Sequence, residues 1–118
     1  MIRTIHRFHG HNSLNFVYRH GKTVRSGQIS LKFCENPKRT TYRAAVVVSK
    51  KVHKSAVVRN RIRRRIYEIV RLKQDHIKLA YDLVFTVFND QLSKVNYSEI
   101  EKDIIGLLTL AKIITSKK

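Results

Sequence analysis

The sequence predicts a small α+β domain in which helices pack on a single sheet. Three observations carry that expectation. Ile29–Cys34 alternates apolar and polar residues, Ala44–Val48 is apolar without interruption, and a long helical pattern separates the second run from a third β-type run, Tyr81–Phe88. A crossover helix between two such runs usually joins parallel strands, so a βαβ unit is expected.

The elements follow in chain order. Leu14, Val17 and Tyr18 recur at helical spacing from Asn12 to His20, and Gly21 follows as a glycine cap. Ile29, Leu31 and Phe33 alternate with Ser30, Lys32 and Cys34, the pattern of a strand with one buried face. Glu35-Asn36-Pro37-Lys38 holds the only proline and reads as a turn. Within Tyr42–Ser49 the run Ala44–Val48 is apolar on both faces, which suggests a central strand covered on each side. From about Ser55 to Gln74, Val58, Ile62, Ile66, Ile69 and Val70 share one stripe and should pack on the sheet. The last helix, Tyr97–Ile114, carries Ile100, Ile104, Leu107, Leu108 and Ala111 on one face, with Ser98 and Glu101 as a capping box. The expected order is α-β-β-α-β-α.

A chain of 118 residues, 42% of them hydrophobic, can bury one core, so a single domain is expected over 1–118, with flexible ends at 1–10 and 115–118. Its 25 Lys and Arg against 8 Asp and Glu give a formal charge of +17. A folded body this small repels itself at that charge unless a polyanion neutralises it. Nucleic acid fits, because each phosphate contacted releases condensed counterions. A membrane partner is not expected, since the chain has no long uncharged apolar run and its first residues do not form a signal peptide. The protein is expected to be soluble and cytoplasmic. Cys34 stands alone, so it can neither close a disulfide nor anchor a cysteine zinc site, and it reads as a buried strand residue. His6, His9 and His11 lack a matched second half for a metal site.

The central helix holds the most specific information. Five of the seven residues from Arg59 to Arg65 are arginines, and Glu68 is the only acid between Lys38 and Lys73. At about 100° per residue, Asn60, Arg63, Arg64, Tyr67 and Arg71 point away from the apolar stripe, while Arg59, Arg61 and Arg65 flank it. Lys50, Lys51 and Lys54 extend the positive surface upstream. Like charges at i,i+4 repel, so an anionic ligand should relieve the helix, and guanidinium forks suit phosphate oxygens. Ser55 offers the N-cap, which leaves the Asn60 amide available to hydrogen-bond RNA.

Val48-Ser49-Lys50-Lys51-Val52 followed by Ala56-Val57-Val58-Arg59-Asn60-Arg61-Ile62-Arg63-Arg64-Arg65-Ile66-Tyr67-Glu68 closely resembles the signature of the bacterial ribonuclease P protein family. Arg7-Phe8 and Leu14–Gly21 follow the family's N-terminal helix and glycine turn, and the order of elements extends the resemblance over nearly the whole chain. The resemblance implies a compact α/β sandwich, similar to a domain in ribosomal proteins, with a left-handed βαβ crossover where the general rule gives a right-handed one. It also implies an accessory role in an endoribonuclease. A catalytic RNA subunit hydrolyses the phosphodiester with Mg2+ bound mainly by RNA, and the protein helps remove the 5′ leader of precursor tRNA. On that basis Lys50, Lys51, Lys54, Arg59, Asn60, Arg61, Arg63, Arg64, Arg65, Tyr67 and Arg71 are expected to face RNA. No residue of the protein is expected to be catalytic or to bind metal.

The family also holds the leader in a cleft between its first helix and the sheet. Here the corresponding positions are Leu14, Tyr18 and Lys32, with Leu14 in place of the usual phenylalanine and Lys32 in place of a common tyrosine. Leader contacts are therefore expected to be more electrostatic than stacked. Phe16 and Tyr18 suit core packing as well as base contact. The loop His53-Lys54-Ser55 is one residue longer than the family pattern. Two other readings share the composition: a ribosomal or other structured-RNA-binding protein, and a DNA-binding protein. DNA is not the expected partner, because there is no helix-turn-helix pattern, zinc ligand set or heptad.

Overall fold

The computed structural model describes residues 11–26, 29–36, 41–77, 80–88 and 97–113, and the side chains of 11–15 and 97 lie outside that description. Among these residues the chain runs α1 (His11–His20), β1 (Lys22–Ser26), β2 (Ile29–Glu35), β3 (Arg43–Val47), α2 (Ala56–Leu72), β4 (Tyr81–Val87) and α3 (Tyr97–Leu110), with a 3-10 turn at Gln74–His76 after α2. The ends 1–10 and 115–118, the turn at Pro37, and His6 and His9 lie outside the described residues.

The strands form one sheet in the order β1-β2-β4-β3. β1 pairs antiparallel with β2, and β2 with β4, while β3 and β4 are parallel, as a βαβ unit requires. The α+β class and the parallel pair therefore match the sequence expectation, and the order differs by one strand. β1 was not foreseen because Lys22-Thr23-Val24-Arg25-Ser26 has a single apolar side chain to mark its inner face. Its pairing along all of Lys22–Ser26 with Phe33–Ile29 supplies what its own composition does not.

The expected central strand is also corrected. β3 is bonded only to β4 within the sheet, and its burial alternates, with Ala44 and Val46 inside and Arg43, Ala45 and Val47 half-buried. The strand covered on both faces is β4, where Leu83, Val84 and Phe85 are all fully buried. An Ala/Val run has the same pattern whether a helix covers its second face or short side chains leave it partly open. Burial therefore depends on where strand and helix dock.

One face of the sheet carries the core. Ile29, Leu31 and Phe33 of β2 and Leu83, Phe85 and Val87 of β4 meet the apolar stripes of α2 and α3. The stripes are those the periodicity gave: Ile62, Ile66, Ile69 and Val70 are buried on α2, as are Ile100, Ile104, Leu107 and Leu108 on α3. α3 stops before the expected Ile114. Lys112 takes a left-handed φ of 63°, Ile113 N donates to Leu108 O at 2.9 Å, and Lys112 N donates to Thr109 O at 3.0 Å. These are the two bonds of a Schellman turn, and they return Ile113 to the core. The helix begins at Tyr97, so Ser98 lies one residue inside it and is not its cap.

α1 lies over β2 and β4. Val17 and Val84 are both fully buried yet stand apart from the main core, because strand alternation turns Val84 to the face opposite Leu83 and Phe85. Gly21 is not in the left-handed conformation of a glycine cap. Its N donates to Val17 O at 2.7 Å, and its role lies in the close approach of α1 to β2.

Tyr42, just before β3, is buried and donates its hydroxyl to Gln74 Oε1 at 2.9 Å. Burial pushes its pKa up from 10.0 to about 12, with Arg71 opposing the shift. The folded state therefore keeps a proton that the unfolded state gives up first. Stability is full below about pH 10 and falls as pH rises toward 12. Urea midpoints across that range should decline more steeply for the native sequence than for Tyr42→Phe, and equal slopes would contradict this.

Candidate nucleic-acid interface

The interface candidate is built on the N-terminal half of α2 and the loop that enters it. Ser55 caps the helix, with its Oγ accepting from Val58 N at 3.4 Å and its O accepting from Arg59 N at 3.1 Å. Asn60 is accordingly a helix-interior residue. Val52 N donates to Ser49 O at 3.0 Å, and the Val52 side chain is buried, so Lys50 and Lys51 stand exposed at the tip of a turn anchored from below. The His53–Ser55 loop is ordered by its own residues, since Ser55 N donates to His53 Nδ1 at 3.1 Å.

The arginines divide into two groups that the helical wheel did not separate. Arg61 and Arg64 are exposed, as are Asn60, Lys50, Lys51 and Lys54. Arg59 is half-buried and donates through Nη1 to His53 O at 2.9 Å and Lys54 O at 3.1 Å. Arg63 reaches Val48 O at 3.5 Å and also donates to Asn60 Oδ1. Arg65 is half-buried. The expected ridge is thus corrected at three places. Arg61, placed on the flank, is the more outward residue, and Arg63 leans back on the loop. Tyr67 packs against the core, and its hydroxyl accepts from Val46 N at 3.2 Å, covering an amide of edge strand β3.

Arg71 does not add a free charge. It is ion-paired with Glu68, Nε donating to Oε1 at 3.1 Å and Nη2 to Oε2. That hydrogen bond holds the Glu68 carboxyl below its ordinary range. Of the residues expected to face RNA, the exposed cations come from the loop and the first turns of α2.

The second candidate region lies under α1. Tyr18 of α1 and Lys32 of β2 come together, the ammonium 6.0 Å from the ring centroid, at the outer limit of a cation–π contact. Tyr18 is 43% and Phe16 52% exposed, so neither is core, and Val17 fills that role. Leu14 lies on α1, and its side chain is outside the described residues. Sequence reasoning missed two ring contacts near this region. Phe16 meets His20 with centroids 4.6 Å apart, and Arg25 lies 4.2 Å above the half-exposed ring of Phe88. The second contact depends on β1, whose Arg25 the register places beside Ser30.

Cys34 is half-buried and faces the Asp82 side of the sheet. Burial first, then the Asp82 carboxylate, pushes its thiol pKa up, and Arg43 opposes them. The thiol is thereby held in its unreactive form. No group of three or more His, Cys, Asp or Glu side chains among the described residues is placed to hold a metal ion. No helix among them is long and apolar enough to cross a membrane.

The chain matches the family model described as Ribonuclease P over residues 2–112. It is 44% identical over 98 residues to a ribonuclease P protein component of Clostridium botulinum, covering 82% of this chain and 86% of that one. A Pseudanabaena protein of the same description is 38% identical over 98 residues, covering 83% and 84%. The structure of the Staphylococcus aureus RNase P protein superposes with a TM-score of 0.84 at 26% identity, over 93% of this chain and 98% of that one.

Proposed function

The chain belongs to the bacterial ribonuclease P protein family, and from that premise we propose that it binds the catalytic RNA of ribonuclease P together with the 5′ leader of precursor tRNA, supporting removal of the leader. The observation that carries this reading is the gathering of exposed Lys50, Lys51, Lys54, Asn60, Arg61 and Arg64 on one loop and the helix it enters. Such a surface neutralises phosphates and fixes register without reading bases. Its rigidity comes from the buried stripe of α2, so it positions RNA where a charged tail would only attract it.

The leader would lie against α1 and the sheet. Lys32 and Tyr18 there offer a cation beside a ring, a pairing that suits a phosphate and a base of single-stranded RNA. Magnesium would be held by the RNA, and the protein would contribute positioning and charge.

The deciding experiment is the identity of the RNA that copurifies with the tagged protein. Ribonuclease P RNA is expected, and ribosomal RNA alone would overturn the reading. The salt dependence tests the interface itself. Arg61→Ala and Arg64→Ala should each flatten the plot of log affinity against log salt by about one unit, one phosphate contact apiece. Arg71→Ala should change it little, because Glu68 already neutralises Arg71. An unchanged slope in Arg64→Ala would remove that residue from the interface.

A further inference from the structure

We infer that Arg59, the first arginine of the basic run, is a positioning residue that holds the lysine loop in place. The inference rests on the RNA-binding reading above. Its Nη1 carries two hydrogens, and two carbonyls receive them, His53 O at 2.9 Å and Lys54 O at 3.1 Å. Both carbonyls precede the first residue of α2. A donor from the second turn of the helix thus reaches back to the loop that leads into it.

The loop is pinned at successive points. Arg63 reaches Val48 O, Val52 is buried, Ser55 caps the helix, and Arg59 holds His53 and Lys54. Lys50, Lys51 and Lys54 lie between or at these points with their side chains exposed. Fixing the backbone beneath three long cations sets their spacing relative to Arg61 and Arg64 before RNA arrives. Ordering then costs less on binding. A planar guanidinium suits this task, since it presents its hydrogens in a fixed fork, whereas an ammonium on a flexible stem keeps the charge and loses the geometry.

That difference supplies the test. Ribonuclease P RNA binding is measured against salt for the full-length chain, Arg59→Gln and Arg59→Lys, and each free protein is digested with trypsin. In the positioning role, Arg59→Gln flattens the salt slope by about two to three units, because loop lysines lose their phosphates as well. Arg59→Lys does not restore it, and both variants are cut several-fold faster after Lys50, Lys51 or Lys54 without RNA. A slope change of about one unit that Arg59→Lys restores would show a phosphate contact and overturn the inference. Unchanged trypsin protection in Arg59→Gln would overturn it too. Failure of the unaltered chain to bind ribonuclease P RNA would instead sink the functional reading beneath it.

Discussion

Asp82→Ala should destabilise the protein by about 3 kcal/mol, lowering its melting midpoint by roughly 10–15 °C. Asp82 is 2% exposed and is the only buried charged residue among those described. Its Oδ1 accepts from Arg43 Nε at 3.0 Å, and its Oδ2 accepts from Arg43 Nη2 at 2.9 Å and from Asn36 Nδ2 at 3.0 Å. Arg43 and Asp82 are register partners across the parallel β3–β4 pair, and the Arg43 side chain is only 12% exposed. Removing the carboxylate takes two charge-assisted hydrogen bonds from a guanidinium in a partly dry site and one from Asn36, which ties the end of β2 through its N to Ala80 O at 2.7 Å. Replacing both members, Asp82→Leu with Arg43→Met, should cost far less, because neither charge then remains in the site. Urea denaturation of the unaltered chain and the two variants measures this. Equal losses in the single and double variants would show that packing, and not the stranded charge, sets the cost.

The second large effect is expected at Gly21. A Cβ there would stand 2.5 Å from Val17 O and 2.9 Å from Phe33 O, both backbone atoms, and 3.2 Å from Lys32 Cγ. The first oxygen belongs to the last turn of α1 and the second to β2, so housing the added methyl requires both reshaping the turn that leaves α1 and parting the helix from the sheet. Gly→Ala at a permissive position usually stabilises by reducing the freedom of the unfolded chain. At Gly21 the sign should reverse, with a loss of about 1–3 kcal/mol as the buried contact of Val17 opens. Because the same shift separates Tyr18 from Lys32, affinity for leader-bearing precursor tRNA should fall by more than affinity for leaderless tRNA. A stabilised Gly21→Ala protein would refute the close approach. A destabilised one with unchanged leader preference would place the leader elsewhere.

Both predictions concern groups whose importance the sequence did not announce. Asp82 is one of 8 acidic residues that no sequence pattern sets apart, and Gly21 reads as a glycine cap. In each case a neighbour from another element contributes: Arg43 is 39 residues from Asp82, and Phe33 of β2 closes on Gly21 beside the nearer Val17 O.

The amino-acid sequence by itself determined most element types, the buried faces of α2 and α3, and a charge excess that suits a polyanionic partner. Ile62, Ile66, Ile69 and Val70 had to turn inward together because 3.6-residue periodicity leaves them no other common face. The charge of +17 called for a polyanion whatever the fold. Tertiary structure decided what periodicity cannot encode. It inserted β4 between β2 and β3, making the apolar Ala44–Val48 run an edge and burying Asp82. It recruited the polar β1 by pairing and brought Lys32 beside Tyr18. It also sorted the basic run into Arg61 and Arg64, which face solvent, and Arg59 and Arg63, which hold the loop. A helical wheel gives the direction in which a side chain leaves the axis. Whether a backbone carbonyl waits within reach of a long, flexible arginine depends on where the rest of the chain has folded.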